Sequence, residues 1–171
     1  MLKITALVEN TSPNPDLFTE SGLSLYIETA DKRILFDTGV TGKIIDNAEK
    51  LNVSLDKIDL CVISHGHFDH TGGLINFLKL NAKAPVYMKP DARGAYFFKM
   101  GPVKKYIGIP PGVFTMFEDR IDYIDKKTEI APGVTIITDI PQTRPLGKQN
   151  AKFFRKTENG LVKDLFSHEL I

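Results

Sequence analysis

The chain has 171 residues, of which 42% are hydrophobic and 25% charged, enough for one globular domain with a real core and too few for two independent ones. Its formal net charge is +1, with acids and bases interspersed. No electrostatic footprint for nucleic acid or an anionic membrane is visible, and a small-molecule substrate is the expected partner.

In chain order the pattern alternates strands and helices, with no repeats, low-complexity tracts or internal linker, so residues 1–171 read as a single domain. The start, MLKITALVEN, has too short an apolar run for a signal peptide or a membrane span, so a cytoplasmic protein is expected. Lys3 to Val8 is predicted as a first strand. The polar loop ENTSPNPDLFTESG follows, anchored by Phe18 and placed to border a pocket. Leu23 to Glu28 and Arg33 to Phe36 form a hairpin around Asp31 and deliver the chain to Asp37. Lys43 to Leu51 carries Ile44, Ile45, Ala48 and Leu51 on one helical stripe, with Asn52 as its stop. Leu60 to Ile63 is a continuous apolar run, as expected of a strand buried on both faces. The single cysteine, Cys61, lies inside it, which excludes an internal disulfide and makes Cys61 a packing residue. From Thr71, expected as the cap, a helix runs through Leu74, Ile75, Phe77 and Leu78 to Asn81. Pro85 to Met88 is a further strand, DARGAYFF a short helix and KMGPVKKYIGIPPGV an irregular segment. Strands are expected at Arg120 to Ile124 and, after the turn APG, at Val134 to Ile140. From Pro141 to Ser167 the chain is polar, with a turn at Asn159-Gly160. HELI then reads as a strand that has only begun at Ile171.

Between the buried strand and its helix lies the run HGHFDH, residues 65–70. Four side chains that bind hard or borderline metals crowd into it, and none is a thiolate. His65 and His67 are two apart in a turn, and Gly66 lets them converge on one metal. Asp69 and His70 lie beyond Phe68 and face a second. Imidazole and carboxylate suit zinc, iron or manganese, and two ions about 3.5–4 Å apart would polarise an ester, amide or phosphoryl oxygen and activate water. Hydrolysis is the reaction class that follows. A ligand histidine usually gives its other ring nitrogen to an acceptor, and Asp37, ending a strand in LFDTG, is the candidate for that second layer. Thr71, Gly72 and Gly73 are assigned to structure. An isolated HEL segment is ordinarily solvated, but His168 is the only other histidine able to supply a ligand. Lys104 and Lys105, beside Tyr106, could hold an anionic substrate.

HGHFDH after LCVIS, with LFDTG upstream, resembles the HxHxDH signature of the metallo-β-lactamase superfamily and its Asp-Thr-Gly element. The resemblance implies an α/β (α+β) chain forming the N-terminal portion of an αββα sandwich. It places His65 and His67 on the first metal and Asp69 and His70 on the second, most naturally two zinc ions with iron or manganese as alternatives. It also gives Asp69 the catalytic task of orienting the attacking water. Redox di-iron relatives carry a glutamate at the second ligand position, where this chain has His67, which favours hydrolysis. VENTSP and KKYIGIPPGV resemble the branch named for dihydropterin ribofuranosylaminobenzene phosphate synthase activity. The substrate class implied is therefore an ester, lactone or phosphoester, or a pterin precursor.

The chain also departs from that pattern. Members of the superfamily supply a third histidine, a bridging aspartate and a last histidine from sequence beyond such a half. None is matched here, so Ile171 is expected to be a truncation point, leaving two protein ligands per metal and an exposed apolar sheet face. Two alternatives follow: a non-catalytic metal-binding module, or one half of a homo-oligomeric or two-chain assembly completed by a C-terminal polypeptide.

Overall fold

Short apolar segments separated by amphipathic ones build a sheet with helices on one face. A computed structural model describes residues 1–171. Its strands begin with β1 (Lys3–Val8), β2 (Ser24–Glu28), β3 (Arg33–Phe36), β4 (Leu60–Val62) and β5 (Val86–Met88), and continue with β6 (Tyr96–Met100), β7 (Val103–Tyr106) and β8 (Ile121–Tyr123). One six-stranded sheet runs in the order β1-β2-β3-β4-β5-β8. The pairs from β1 to β3 are antiparallel and those from β3 to β8 parallel. Parallel neighbours need crossover connections. Helix α1 (Lys43–Lys50) crosses between β3 and β4, and α2 (Phe68–Thr71) and α3 (Leu74–Leu80) between β4 and β5. A longer excursion, holding β6, β7 and α4 (Gly112–Met116), leads to β8.

Alternation along the central strands divides the core. Leu35, Cys61, Ile63 and Val86 pack against Ile44 and Ala48 of α1, Leu74, Phe77 and Leu78 of α3, and Val113 of α4. Their neighbours Ile34, Leu60 and Val62 point to the other face, where Ile136 and Leu170 cover them. Ile136 belongs to a two-stranded ribbon of β9 (Thr128–Ala131) and β10 (Val134–Ile136). The sheet face expected to be bare is therefore partly buried, because the ribbon and the chain's last residues fold back across it. The result is a mixed α+β architecture with helices against one side of its main sheet.

The second half departs from expectation in several places. DARGAYFF is not a helix: Pro90–Arg93 makes one 3₁₀ turn, and the aromatic run beyond Gly94 enters β6. Aromatic side chains favour strands when a partner is present, and β6 has two, β7 and β11 (Phe153–Thr157). With β12 (Gly160–Lys163) they form a four-stranded sheet, β12-β11-β6-β7, in segments expected to be irregular or simply polar. The strand expected over Val134 to Ile140 stops at Ile136. Thr71 does not cap α3; it lies in α2, and its hydroxyl donates to the His67 carbonyl at 2.9 Å. HELI is not a strand, although Leu170 N–H donates to Ser64 O at 2.8 Å and Ile137 and Ile171 exchange two backbone hydrogen bonds.

Candidate metal centre

Strands β3 and β4 are parallel neighbours, so their carboxyl ends bring Asp37 and the start of HGHFDH to the same edge of the sheet. Asp37 N–H donates to Val62 O at 2.9 Å, and Asp37 adopts φ +60°, a conformation in which Asp is among the tolerated residues. Its carboxylate is fully buried. It accepts from Ser64 N–H (2.8 Å) and Ser64 Oγ–H (2.7 Å), and from His70 Nδ1 at 2.7 Å.

These bonds dictate tautomers. Ser64 spends its only hydroxyl proton on Asp37, so the 2.9 Å contact between Ser64 Oγ and His65 Nδ1 is a donation from the ring. His65 and His70 are both thereby held with the proton on Nδ1 and Nε2 available to a metal. His70 Nε2 lies 3.6 Å from Asp69 Oδ2, and His65, Asp69 and His70 together present one cluster of potential donor atoms. Asp69 and His70 reach it from α2, one helical turn where a plain turn was expected.

His67 points elsewhere. Its Nε2 lies 2.7 Å from Asp164 Oδ2, and His67, Asp164 and His168 form a second, wholly buried donor cluster. The rings of His65 and His67 meet edge to face with centroids 4.8 Å apart, so the two clusters adjoin. His168 is completely buried, stacked on Phe166 and tilted against Tyr96, although its sequence context suggested solvent. The sequence pairs His65 with His67 and Asp69 with His70; the structure instead groups His65 with Asp69 and His70, and sets His67 against Asp164 and His168, which the segment after β12 brings onto the metal loop. Asp164 was missed. Its only sequence signal is the spacing to His168, four residues on, in DLFSH.

Burial sets the electrostatics, and hydrogen bonds modify it. Desolvation, reinforced by the neighbouring histidines, holds His65 well below the ordinary imidazole value. Burial also lowers His168, against the pull of Asp164. At His70, burial is outweighed by the hydrogen bond and charge of Asp37, and the pKa is raised. Asp37 itself is pushed up by burial despite its donors. Burial would raise Asp164 too, but hydrogen bonds from His168 and His67 hold it well below the usual carboxylate range.

Two glycines let the loop sit this deep. A Cβ on Gly72 would lie 1.9 Å from the Val40 carbonyl oxygen, and one on Gly66 would lie 2.4 Å from that of Ala92. Lys104 and Lys105 belong to neither donor cluster and are exposed on β7, with Lys104 Nζ over the Phe97 ring.

Grouped imidazoles and carboxylates, with Nε2 of His65 and His70 left without hydrogen-bond partners, are a donor set that fits divalent metal ions. The chain is similar to several known proteins. Over 97 residues the chain is 38% identical to the 7,8-dihydropterin-6-methyl-4-(beta-D-ribofuranosyl)-aminobenzene-5'-phosphate synthase of Methanocaldococcus jannaschii, covering 53% of this chain and 33% of that protein. Over 159 residues it is 38% identical to exodeoxyribonuclease WalJ of Streptococcus pneumoniae, covering 84% of this chain and 52% of that protein. The chain thus spans between a third and about half of the length of these relatives. The crystal structure of Tm1679, a metal-dependent hydrolase of the beta-lactamase superfamily, superposes with a TM-score of 0.77 at 26% identity over 99% of this chain and 60% of that one. The metallo-beta-lactamase superfamily model matches residues 18–149, the greater part of the sequence and the whole of the HGHFDH loop, and the chain belongs to that superfamily.

Proposed function

We propose that this chain is a metal-dependent hydrolase with a dinuclear site, acting on an ester, lactone or phosphoester-type substrate. Zinc is the metal assigned, with iron or manganese as alternatives, and pterin-precursor synthase-like chemistry is the narrower form of the same reading. The observation that carries it is the contact between the two donor clusters through His65 and His67.

When bound, divalent ions supply Lewis acidity and make a water molecule acidic enough to attack at neutral pH. The residues of the chain do the rest. Asp37 and Ser64 keep His65 and His70 in the Nδ1–H tautomer, as their 2.7–2.9 Å contacts require. In this reading Asp69, with its side chain 47% exposed, would orient the attacking water. Beside the site a cleft of about 630 Å³ is lined by Lys89, Asp91, Asp139, Phe166, Ser167 and Glu169, and the centroid of the Phe166 ring lies 5.0 Å from that of His67. Three carboxylates against one ammonium give these walls a negative balance that bound divalent ions would offset.

The test is metal analysis of protein purified without chelators, together with hydrolysis of a phosphodiester and a lactone by wild type and His67→Ala. Metal present with activity that the substitution abolishes is the expected result. Protein holding no metal at any stoichiometry sinks the proposal.

A second reading, a self-complementing or two-chain assembly, is favoured by Ile137, Ile140, Leu165 and Ile171, which are 44–66% exposed, Ile140 and Leu165 among them lining the cleft. Light scattering that finds only monomer removes the homo-oligomeric form.

A further inference from the structure

The two residues that join His67 from outside the HGHFDH loop have different hydrogen-bond environments, and these divide the work between them. Gly66 N–H donates to His168 Nδ1 at 2.9 Å. A neutral imidazole that accepts at Nδ1 carries its one proton on Nε2. That nitrogen faces Asp164, 3.2 Å from Oδ1 and 3.3 Å from Oδ2. With Nδ1 occupied and Nε2 protonated, His168 has no lone pair left for a metal.

Asp164 is the opposite case. Its Oδ1 takes Phe166 N–H at 2.9 Å, while Oδ2 is directed at His67 Nε2 at 2.7 Å. The Asp164 and His168 side chains are 1% and 0% exposed, so no bulk water competes for these positions. His67 Nε2 and Asp164 Oδ2 would together hold a zinc ion, an imidazole nitrogen and a carboxylate oxygen both being among its usual ligands.

The geometry points to Asp164 as a metal ligand that joins His67 from the segment after β12, with His168 as its positioning residue rather than a ligand. His168 clamps the carboxylate from one side, and the Gly66 amide, in the metal loop itself, locks the tautomer of His168. The metal loop thus selects the ring that aims the carboxylate at its own histidine. This assignment rests on the metal reading of HGHFDH, and its failure is separable from failure of that reading.

The experiment titrates zinc into the 171-residue chain against a competing chelator, with parallel NMR of the histidine ring nitrogens and side-chain carboxyl carbons. In wild type, zinc is expected to shift the Asp164 carboxyl resonance and to leave His168 protonated on Nε2. Asp164→Asn is expected to weaken zinc binding by at least the 10–100-fold typical of losing a second-layer partner. His168→Gln, whose amide can still donate to Asp164 and accept from Gly66, is expected to keep the cobalt absorption spectrum of wild type, whereas His168→Leu weakens binding about 10–100-fold. Zinc binding by Asp164→Asn as tight as wild type, or loss of the His168 Nε2 proton on zinc addition, overturns the assignment. The wild-type NMR readout decides the matter even if a variant does not fold. Wild type that takes up no zinc overturns the metal reading and this assignment with it, whereas zinc uptake with a silent Asp164 overturns this assignment alone.

Discussion

Asp37 Oδ2 and His70 Nδ1 lie 2.7 Å apart, the carboxylate fully buried and the ring 19% exposed at the rim of the site. A residue from the end of one strand thus sets the tautomer of a ligand candidate 33 positions away. Asp37→Asn keeps the shape and the tolerance for φ +60°, but its amide cannot accept all three donors. Zinc affinity should fall about 10–100-fold, as for other second-layer partners, measured by chelator competition. Asp37→Ala should in addition cost about 1–3 kcal/mol of stability, because Ser64 loses a buried acceptor. Unchanged zinc affinity in Asp37→Asn would remove Asp37 from the site.

Gly72→Ala tests the depth at which the metal loop is seated. The added methyl would meet backbone, the Val40 carbonyl oxygen at 1.9 Å, and a carbonyl cannot rotate away as a side chain can. Expected is a loss of about 1–3 kcal/mol in urea denaturation. A stability equal to wild type would mean that the loop moves freely.

The metal-free chain should lose stability on mild acidification. Burial holds His65 and His168 below the ordinary imidazole value, so near pH 6.5 the unfolded chain takes up protons that the folded chain refuses. Their contribution is complete above about pH 6.5 and declines as pH falls below it. His70 has the opposite sign: its raised value means a contribution complete below about pH 6.5 and lost as pH rises through the folded value. With two groups against one, thermal midpoints in chelator should drop between about pH 7.5 and about pH 5.5, and His168→Gln should flatten the drop. A midpoint that rises over this interval contradicts the burial of both rings.

Cys61 should be inert. It is 0% exposed in β4, and burial raises its thiol well above the usual value. A thiol reagent is expected to label it only at the rate of global unfolding, followed by mass spectrometry in increasing urea. Rapid labelling in buffer would show that β4 opens on its own.

The first half of the fold was legible because its signals are local. The alternation in Ser24–Glu28 and Arg33–Phe36, the stripe of α1 and the apolar run through Cys61 each place an element within a residue or two of where it lies. The second half was not, because β6, β7, β11 and β12 depend on one another. Tyr96, Phe97 and Phe98 become a strand only when Phe153–Arg155 arrive beside them, more than fifty residues later. No window of local sequence contains both partners.

The site divides along the same line. Sequence alone determined that His65, His67, Asp69 and His70 would be concentrated in one loop at the end of a buried strand, and that Asp37 would end a strand upstream. Spacing and strand periodicity are local properties of the chain, and a buried apolar run leaves little choice of where its polar end must emerge. Long-range packing settled what spacing could not: His67 parts from its expected partner His65 and faces Asp164, His168 is buried rather than solvated, and a serine between strand and motif relays Asp37 to His65. Those are contacts between residues as many as 102 positions apart, and they exist because packing of the returning segment buries polar groups that must then find one another.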